Sequence, residues 1–162
     1  MPHLVSISFK TEDLEDKPAG RYARNPTAQA TLTPRQGIVG DRKGGTGGRQ
    51  LNVMRAETVA DLEAEGFKTA PGELGEQLVV AGLPPDAATP GKRLRIGGSA
   101  VIEFDKLRTG CARFEQIQGR PKSAVAGRLG IMARVLVGGP IAVGDAVTVV
   151  AHSETPTQQS LF

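Results

Sequence analysis

The sequence predicts a mainly β protein, a closed or nearly closed β-barrel with two or so short helices. Its 162 residues include 21 glycines and 11 prolines, and short runs rich in valine and isoleucine recur between them. Turn residues that separate short apolar runs are typical of many strands joined by tight connections. About eight such runs against two helical patterns favour a barrel or a sandwich, and closure would also protect the strand edges.

The strand predictions follow from alternating side chains and from the turn residues at their ends. Alternation is clear in residues 4–9 (LVSISF) and in residues 100–106 (AVIEFDK), which we expect to pair with residues 93–96 across a Gly97-Gly98 turn. The other predicted strands are residues 28–32, 51–54, 78–81, 131–137 and 146–150. Residues 10–25 are predicted to be a surface connection and residues 83–91 a proline-rich loop.

Two segments carry the signals of amphipathic helices. Residues 56–65 place Val59 and Leu62 on one side and acidic residues on the other, and Gly66 follows as a stop. Residues 112–118 carry Phe114 and Ile117 and end before another glycine. We therefore predict a short helix in each segment.

Length and charge limit the class of protein. The chain is long enough for one domain, predicted over residues 1–150, with a polar tail over residues 151–162. The net charge of +3 favours an anionic small ligand, whereas one tyrosine and no tryptophan argue against nucleic acid. No apolar run reaches the ~18 residues of a membrane span, and the first residues lack the core of a signal peptide. We expect a cytoplasmic protein with no membrane partner.

The only cysteine, Cys111, lies between the strand of residues 100–106 and the helix of residues 112–118. A helix N-terminus and the nearby Arg108 and Arg113 would both stabilise a thiolate. A thiolate is the reactive form in sulfur chemistry and a soft ligand for transition metals, so Cys111 is a candidate catalytic or metal-binding residue. The alternative is a small buried apolar side chain with a structural role.

Residues 37–50 form a glycine-rich segment with Asp41, Arg42 and Arg49 between the glycines. Successive backbone N–H groups, such as those of Gly47 and Gly48, can form an anion-binding nest, and the arginines add positive charge. The alternative is a flexible hairpin connection. The segment contains no Walker motif, which excludes a nucleoside-triphosphate loop of that type.

Two glutamates, Glu73 and Glu76, stand among the glycine turns of residues 71–77. They are candidates for a pair of catalytic acids, but no histidine lies nearby in the sequence. We expect them to accept hydrogen bonds from backbone N–H groups of the turns.

Five parts of the chain, in this order, resemble the MOSC family, named for the C-terminal domain of molybdenum-cofactor sulfurase, in its small stand-alone bacterial form. They are residues 37–42 (GIVGDR) with 48–50 (GRQ), residues 71–76 (PGELGE), residues 90–91 with 94–97, Cys111, and residues 130–135 (GIMARV) with 144–145. The resemblance implies a β-barrel that binds molybdenum cofactor (molybdopterin) or carries sulfur as a cysteine persulfide. It further implies that Cys111 bears the sulfur or ligates the metal, and that the loop around Asp41, Arg42 and Arg49 lines the same site.

Three functions remain open at this point. The first is a protein that binds the cofactor or carries sulfur, with a donor or acceptor protein as its partner. The second is a small molybdenum-dependent reductase of N-hydroxylated compounds, which needs an electron partner. The third is a non-catalytic adaptor with a structural cysteine. No part of the chain resembles a domain that binds pyridoxal phosphate.

The last residues form a candidate docking peptide. Gln158, Leu161 and Phe162 resemble the short glutamine-to-leucine-phenylalanine peptides that bind the bacterial sliding clamp. Such a peptide inserts two adjacent apolar side chains into a pocket while the glutamine makes hydrogen bonds. The alternative is a polar end that does not fold alone.

Overall fold

A computed structural model describes residues 1–11, 20–22, 24–42 and 50–152 of the chain. These residues contain eleven β-strands, two α-helices and two short 3₁₀ turns. The strands are β1 (His3–Phe9), β2 (Asn25–Thr27), β3 (Gln29–Thr33), β4 (Gly37–Ile38), β5 (Leu51–Arg55), β6 (Leu78–Ala81), β7 (Arg93–Ile96), β8 (Ala100–Leu107), β9 (Ile131–Val137), β10 (Gly139–Ala142) and β11 (Val147–Val150). The helices are α1 (Ala56–Ala64) and α2 (Ala112–Gln118).

Eight of the strands form one sheet in the order β11-β7-β8-β9-β5-β6-β1-β2, and β10-β3-β4 form a smaller sheet. Neighbouring strands run antiparallel except for β5 and β6, which are parallel. A parallel pair needs a crossover connection, and helix α1 between β5 and β6 supplies it.

The large sheet curls until its two sides nearly meet. His3 of β1 forms an isolated bridge with Ala146, just before β11. The Leu4 N–H donates to the Asp145 carbonyl at 2.9 Å, and the Gly144 N–H donates to the Leu4 carbonyl at 2.7 Å. No regular ladder between named strands closes the ring among the described residues. The protein is therefore a mainly β, nearly closed barrel, as the sequence predicts.

Two hydrophobic clusters hold the elements together. The larger fills the barrel and includes Leu4, Ile102 and Phe104, each no more than 1% exposed. The smaller lies under the helices and joins Leu62 of α1 to Phe114 of α2. Its other buried members are Met54, Phe67, Leu74, Val125 and Leu129. Because this second cluster contains residues on either side of Cys111, it positions the segment that carries the thiol.

Most predicted elements are found within one or two residues of their expected bounds. Helix α2 spans the residues predicted for it, and Gly119 ends it in the left-handed conformation with φ 68°. The sequence predicts connections where the structure has three short strands, β2, β4 and β10. This prediction is wrong. Each has at most four residues, and its partner strand is distant in the sequence or across a tight turn.

Several predictions fall on residues outside those that the structure describes. They concern Gly47, Gly48 and Arg49 of the glycine-rich segment, and Gln158, Leu161 and Phe162 of the tail. The division into a domain over residues 1–150 and a tail stays a prediction. Among the described residues, no helix has the length and apolar content that crossing a membrane requires.

Candidate functional site around Cys111

Cys111 is a free and exposed thiol immediately before helix α2. Its backbone is extended, with φ −139° and ψ 175°, and the helix begins at the next residue. The change from extended to helical backbone presents the side chain at the helix end, where a reagent or a partner can reach the sulfur. This position does not agree with the alternative of a buried apolar side chain.

Several groups act on the charge of the sulfur. Partial burial raises the pKa of the Cys111 thiol, but the nearby N–H groups of Phe114 and Arg113 outweigh it, together with the Tyr22 hydroxyl and the Arg108 guanidinium. The net result is a pKa below the ordinary value of a cysteine. The N–H groups are those that the first turn of a helix leaves without partners in the helix.

Tyr22 is the residue around which the positive charges of the site are arranged. The guanidinium carbons of Arg24, Arg108 and Arg113 lie 5.7, 5.8 and 5.6 Å from the centre of its ring. These distances are within the range of cation–π attraction. Burial raises the pKa of Tyr22, the positive charge of Arg108 opposes this rise and the nearby Cys111 adds to it, with a net increase. Tyr22 therefore keeps its proton at neutral pH.

Arg108 connects Tyr22 to the loop of residues 72–76. Its Nη1 donates to the Leu74 carbonyl, and its Nη2 donates to the Tyr22 hydroxyl at 3.2 Å. Gly75 leaves the space for this guanidinium, because a Cβ there would lie 2.5 Å from the Arg108 Nη2. Arg113 makes a separate connection, from its Nη2 to the Arg21 carbonyl at 2.9 Å. The two arginines thus tie the segment of Tyr22 to the loop and to helix α2.

Glu76 holds the loop of residues 72–76 in shape. Its carboxylate accepts hydrogen bonds from the Gly72 N–H at 2.8 Å and from the Leu74 N–H at 3.2 Å. The side chain is only 2% exposed, and burial raises its pKa although these N–H groups and Arg108 oppose the rise. The prediction that a glutamate here satisfies backbone N–H groups is confirmed for Glu76.

Asp41 belongs to the glycine-rich segment and is 4% exposed. Its two carboxylate oxygens accept hydrogen bonds from the Lys10 N–H and from the Gln77 Nε2, each at 3.2 Å. Its charge also acts on Arg24: burial lowers the pKa of Arg24, and Asp41 is the strongest group opposing that decrease. Asp41 therefore supports the site through Arg24. The exposed Arg42 follows it, and its N–H donates to the Lys10 carbonyl at 2.9 Å.

The structure thus brings Cys111, Arg108 and Arg113 together. It adds Tyr22, Arg24 and Glu76, which the sequence analysis did not assign to the site. The available signal for Tyr22 was its being the only tyrosine, set between Arg21 and Arg24. Nothing local in the sequence indicates that these residues reach Cys111, because the contact forms only when the barrel does.

The side chains around Cys111 limit which ligands this site can bind. In the part of the chain that the structure describes, no three or more His, Cys, Asp or Glu side chains are arranged to hold a metal ion. A metal at Cys111 would therefore take one soft thiolate ligand from this group, and its other ligands would come with the cofactor. The three arginines suit an anionic group such as a phosphate. With one thiolate ligand and three cationic side chains, these residues fit an anionic, metal-bearing cofactor.

Comparison with known proteins identifies relatives of this fold. The MOSC domain family model matches residues 40–148, which is more than half of the 162 residues. The matched range contains Asp41, Glu76 and Cys111. A comparison with curated proteins finds no match.

Solved structures of similar fold come from several bacteria. YiiM from Geobacillus stearothermophilus is 19% identical, with a TM-score of 0.69, over 93% of this chain and 76% of that one. The YUAD protein from Bacillus subtilis is 19% identical, with a TM-score of 0.69, over 91% of this chain and 94% of that one. YiiM from Escherichia coli is 18% identical, with a TM-score of 0.68, over 98% of this chain and 74% of that one. At these identities the likeness establishes a common fold.

Proposed function

The chain belongs to the MOSC domain family, and on that premise we propose that it carries sulfur on Cys111 as a cysteine persulfide. The observation that supports the proposal most directly is the exposed thiol whose pKa is lowered by the N–H groups of Phe114 and Arg113, by Tyr22 and by Arg108. Thiol–persulfide exchange needs a sulfur that is both accessible and ionised near neutral pH.

The proposed step is an exchange between the thiolate and a donor persulfide. The Cys111 thiolate attacks the outer sulfur of a persulfide R–S–SH, the S–S bond of the donor breaks, and the donor leaves as the thiolate R–S⁻. Cys111 then holds the transferred sulfur as Cys–S–SH, and no net oxidation or reduction occurs. Delivery to an acceptor thiolate is the same exchange in reverse. The partner is thus a protein or small thiol that carries a persulfide.

The cations near Cys111 suit the charge of this intermediate. A persulfide is more acidic than a thiol and is an anion at neutral pH, so its outer sulfur bears negative charge. Arg108 already acts on the Cys111 sulfur, and Arg113 lies in the first turn of the helix that follows. Opposite charge at short range stabilises the anionic form and slows its loss through protonation.

Molybdenum cofactor is the second candidate ligand of the same site, because the MOSC domain family is associated with functions related to this cofactor. Cys111 would supply the thiolate ligand, and Arg108 and Arg113 would face its anionic groups. Bound molybdenum would supply two-electron redox chemistry. Reduction of N-hydroxylated compounds would then need a separate electron donor.

Intact mass spectrometry of the protein after incubation with a small-molecule persulfide tests the sulfur proposal. We expect the protein to gain the mass of one sulfur, to lose it on treatment with a reductant, and to show no gain as Cys111→Ser. A wild-type protein that gains no sulfur, or that gains it equally as Cys111→Ser, would contradict the proposal.

Metal analysis of protein purified from a molybdenum-replete host tests the second candidate. Molybdenum bound in stoichiometric amount to the wild type and lost from Cys111→Ser would support cofactor binding. Molybdenum absent from both, together with persulfide formation, would leave sulfur carriage as the function. An inert thiol and no metal would favour the adaptor.

A further inference from the structure

We propose that a cleft at one end of the barrel binds a small organic cation, a protonated amine that carries a short apolar group. The cleft lies between helix α1, the 3₁₀ turn Pro85–Ala87 and the ends of β5, β8 and β9, and its volume is about 200 Å³. None of the described residues that line it belongs to the group around Cys111. The inference is therefore independent of sulfur carriage.

The floor of the cleft is apolar because the strand register places three apolar side chains in one row. Ile131, the first residue of β9, lies opposite Val53 of β5 and opposite Leu107 of β8. Residues directly opposite each other in a sheet project to the same face. Val53 and Ile131 are 2% and 3% exposed, whereas Leu107 at the end of the row is 50% exposed. The row thus begins in the core of the barrel and ends in an uncovered apolar side chain.

Helix α1 supplies a polar wall beside this floor. Arg55 immediately precedes the helix, and Thr58 and Asp61 follow it at intervals of three residues. Side chains at this spacing lie on one side of a helix, and all three line the cleft. A ligand on the apolar floor would therefore have charged and hydroxyl groups within its reach.

Both arginines that line the cleft already have partners. The Arg55 Nε donates to the Leu83 carbonyl at 2.8 Å, and its Nη2 lies 3.7 Å from a carboxylate oxygen of Glu57. The Arg128 Nη1 and Nη2 donate to the two carboxylate oxygens of Glu65, at 2.5 and 2.9 Å. An anionic ligand would compete with these carboxylates, so the arginines do not make the cleft an anion site.

Asp61 is the charged group of the cleft that lacks such a partner. Among the residues that the structure describes, none donates a hydrogen bond to its carboxylate. Hydrogen bonding to Glu65 raises the pKa of Arg128, and the nearby charge of Asp61 adds to that rise. Because Glu57 and Glu65 match the two arginines, Asp61 leaves one negative charge uncompensated. An ammonium group would pair with it, and an apolar group would cover Leu107.

The volume of the cleft limits the size of the ligand. An apolar cavity of about 150 Å³ in another protein accommodates benzene, so this cleft has room for one ring or branched chain and an aminomethyl group. Benzylammonium has these features and is the probe. Benzyl alcohol has nearly the same shape without the charge, and benzoate carries the opposite charge.

Titration of the full chain with the three probes, followed by two-dimensional ¹H–¹⁵N NMR, tests the proposal. With benzylammonium we expect the backbone N–H signals of Asp61, Gly127 and Gly130 to shift, with a Kd on the order of 1 mM for so small a ligand. Benzyl alcohol should bind about two- to fivefold more weakly, because a partly exposed ion pair contributes that much to affinity. Benzoate should bind more weakly than either.

Three variants separate the charge of the cleft from its apolar floor. Asp61→Asn keeps the shape and should weaken benzylammonium to the affinity of benzyl alcohol, whose own binding should not change. Glu63→Gln is the matched control, because it removes the same charge from an exposed position of α1 that does not line the cleft, and it should change neither affinity. Leu107→Ala should weaken both probes by the same factor, because it removes the apolar surface that both would cover.

Each other outcome would overturn a stated part of the inference. A folded wild-type protein whose cleft signals respond to none of the probes would overturn the binding site. Equal affinities for benzylammonium and benzyl alcohol, or tightest binding of benzoate, would overturn the preference for a cation. Equal losses in Asp61→Asn and Glu63→Gln would reject Asp61 as the paired group. Persulfide formation at Cys111 enters none of these measurements, so sulfur carriage and the cleft stand or fail separately.

Discussion

Burial and hydrogen bonding shift the pKa values of Cys111 and Glu76 in opposite directions, and the balance of the two effects decides which of these groups is charged. The Cys111 thiol is made more acidic by donors around it, whereas the Glu76 carboxyl is made less acidic by burial despite the N–H groups that it accepts. The difference follows from exposure: Cys111 is exposed, and Glu76 is 2% exposed. Hydrogen bonds lower the pKa of an acid in both cases, but only deep burial is strong enough to reverse the result.

Cys111→Ser should separate chemistry from stability. The side chain is exposed and packs little, so the free energy of unfolding should change by less than about 1 kcal/mol. Persulfide formation and alkylation should both be lost, because a hydroxyl is a far weaker nucleophile. Chemical unfolding and intact mass measure the two effects. A large fall in stability would indicate that the thiol has a structural role.

Glu76→Gln should remove a pH dependence of stability. The pKa of Glu76 is raised in the folded protein, so the folded state binds its proton more tightly than the unfolded state does. The stability that this group contributes is therefore present at acidic pH, below the ordinary carboxyl pKa, and decreases as the pH rises through the raised value. The variant should lack this component.

The same variant should also be less stable than the wild type, by about 1–3 kcal/mol at acidic pH, because the amide group of glutamine leaves one loop N–H without an acceptor. Denaturant unfolding at a series of pH values measures both effects. Glu73→Gln is the control for the loss of stability, since the Glu73 side chain is half-buried in the same loop. Parallel pH curves for Glu76→Gln and the wild type would contradict the assignment.

At the scale of elements, the loop of residues 72–76 determines where Arg108 lies. Its glycines take the left-handed conformation at Gly72 (φ 83°) and at Gly75 (φ 84°). In the same loop, the Arg108 guanidinium packs against Gly75, which has no side chain. A glycine in this loop thus has two separate roles, in backbone conformation and in space, and a matched pair of variants can separate them.

Gly75→Ala should shift the pH profile of Cys111 alkylation, and Gly91→Ala should not. Both glycines have similar φ values, 84° and 89°, so alanine should cost about 1–2 kcal/mol of stability at either position. Only at Gly75 would the new Cβ meet Arg108, at 2.5 Å from Nη2, whereas at Gly91 no atom lies within 4 Å. Thermal unfolding and the pH dependence of alkylation give the two readouts. Equal alkylation profiles would show that the loop does not position Arg108.

The parts of this architecture that the sequence predicts correctly are those with local signals. Helix α2 was predicted within its observed bounds because Phe114, Ile117 and Gly119 all lie inside or just after it. Strand β10 was missed because its Gly139 and Pro140 are typical of a turn, and only its pairing with β3 makes it a strand. The same limit applies to the site: the acidity of Cys111 could be predicted from its neighbours, but Tyr22 could not.

At the scale of the whole molecule, both hydrophobic clusters stabilise the fold, but only the smaller one, beneath the helices, lies under the Cys111 site. Phe104 fills the barrel and Phe114 fills the cluster beneath the helices, and both are essentially inaccessible to solvent. Phe114 also supplies one of the N–H groups that act on the Cys111 sulfur. Stability and thiol acidity should therefore respond differently to the two cores.

Phe104→Leu and Phe114→Leu should lower the free energy of unfolding by similar amounts, on the order of 1–3 kcal/mol, because each removes buried surface of equal type. Only Phe114→Leu should raise the pH midpoint of Cys111 alkylation, since repacking under α2 moves its first turn. Urea unfolding and alkylation on the same samples test this. An equal midpoint shift in both variants would mean that the acidity of the thiol depends on global stability instead.

The assembly of the Cys111 site from distant segments makes the thiol an internal reporter of folding. Tyr22, Arg108 and the first turn of α2 all move away from the sulfur when the chain unfolds, and the thiol then returns to ordinary acidity. At mildly acidic pH the native protein should consequently be labelled faster than the unfolded chain, the reverse of the usual behaviour of a protected cysteine. Since the chain has one cysteine, a slowing of its labelling would measure local opening without any introduced probe.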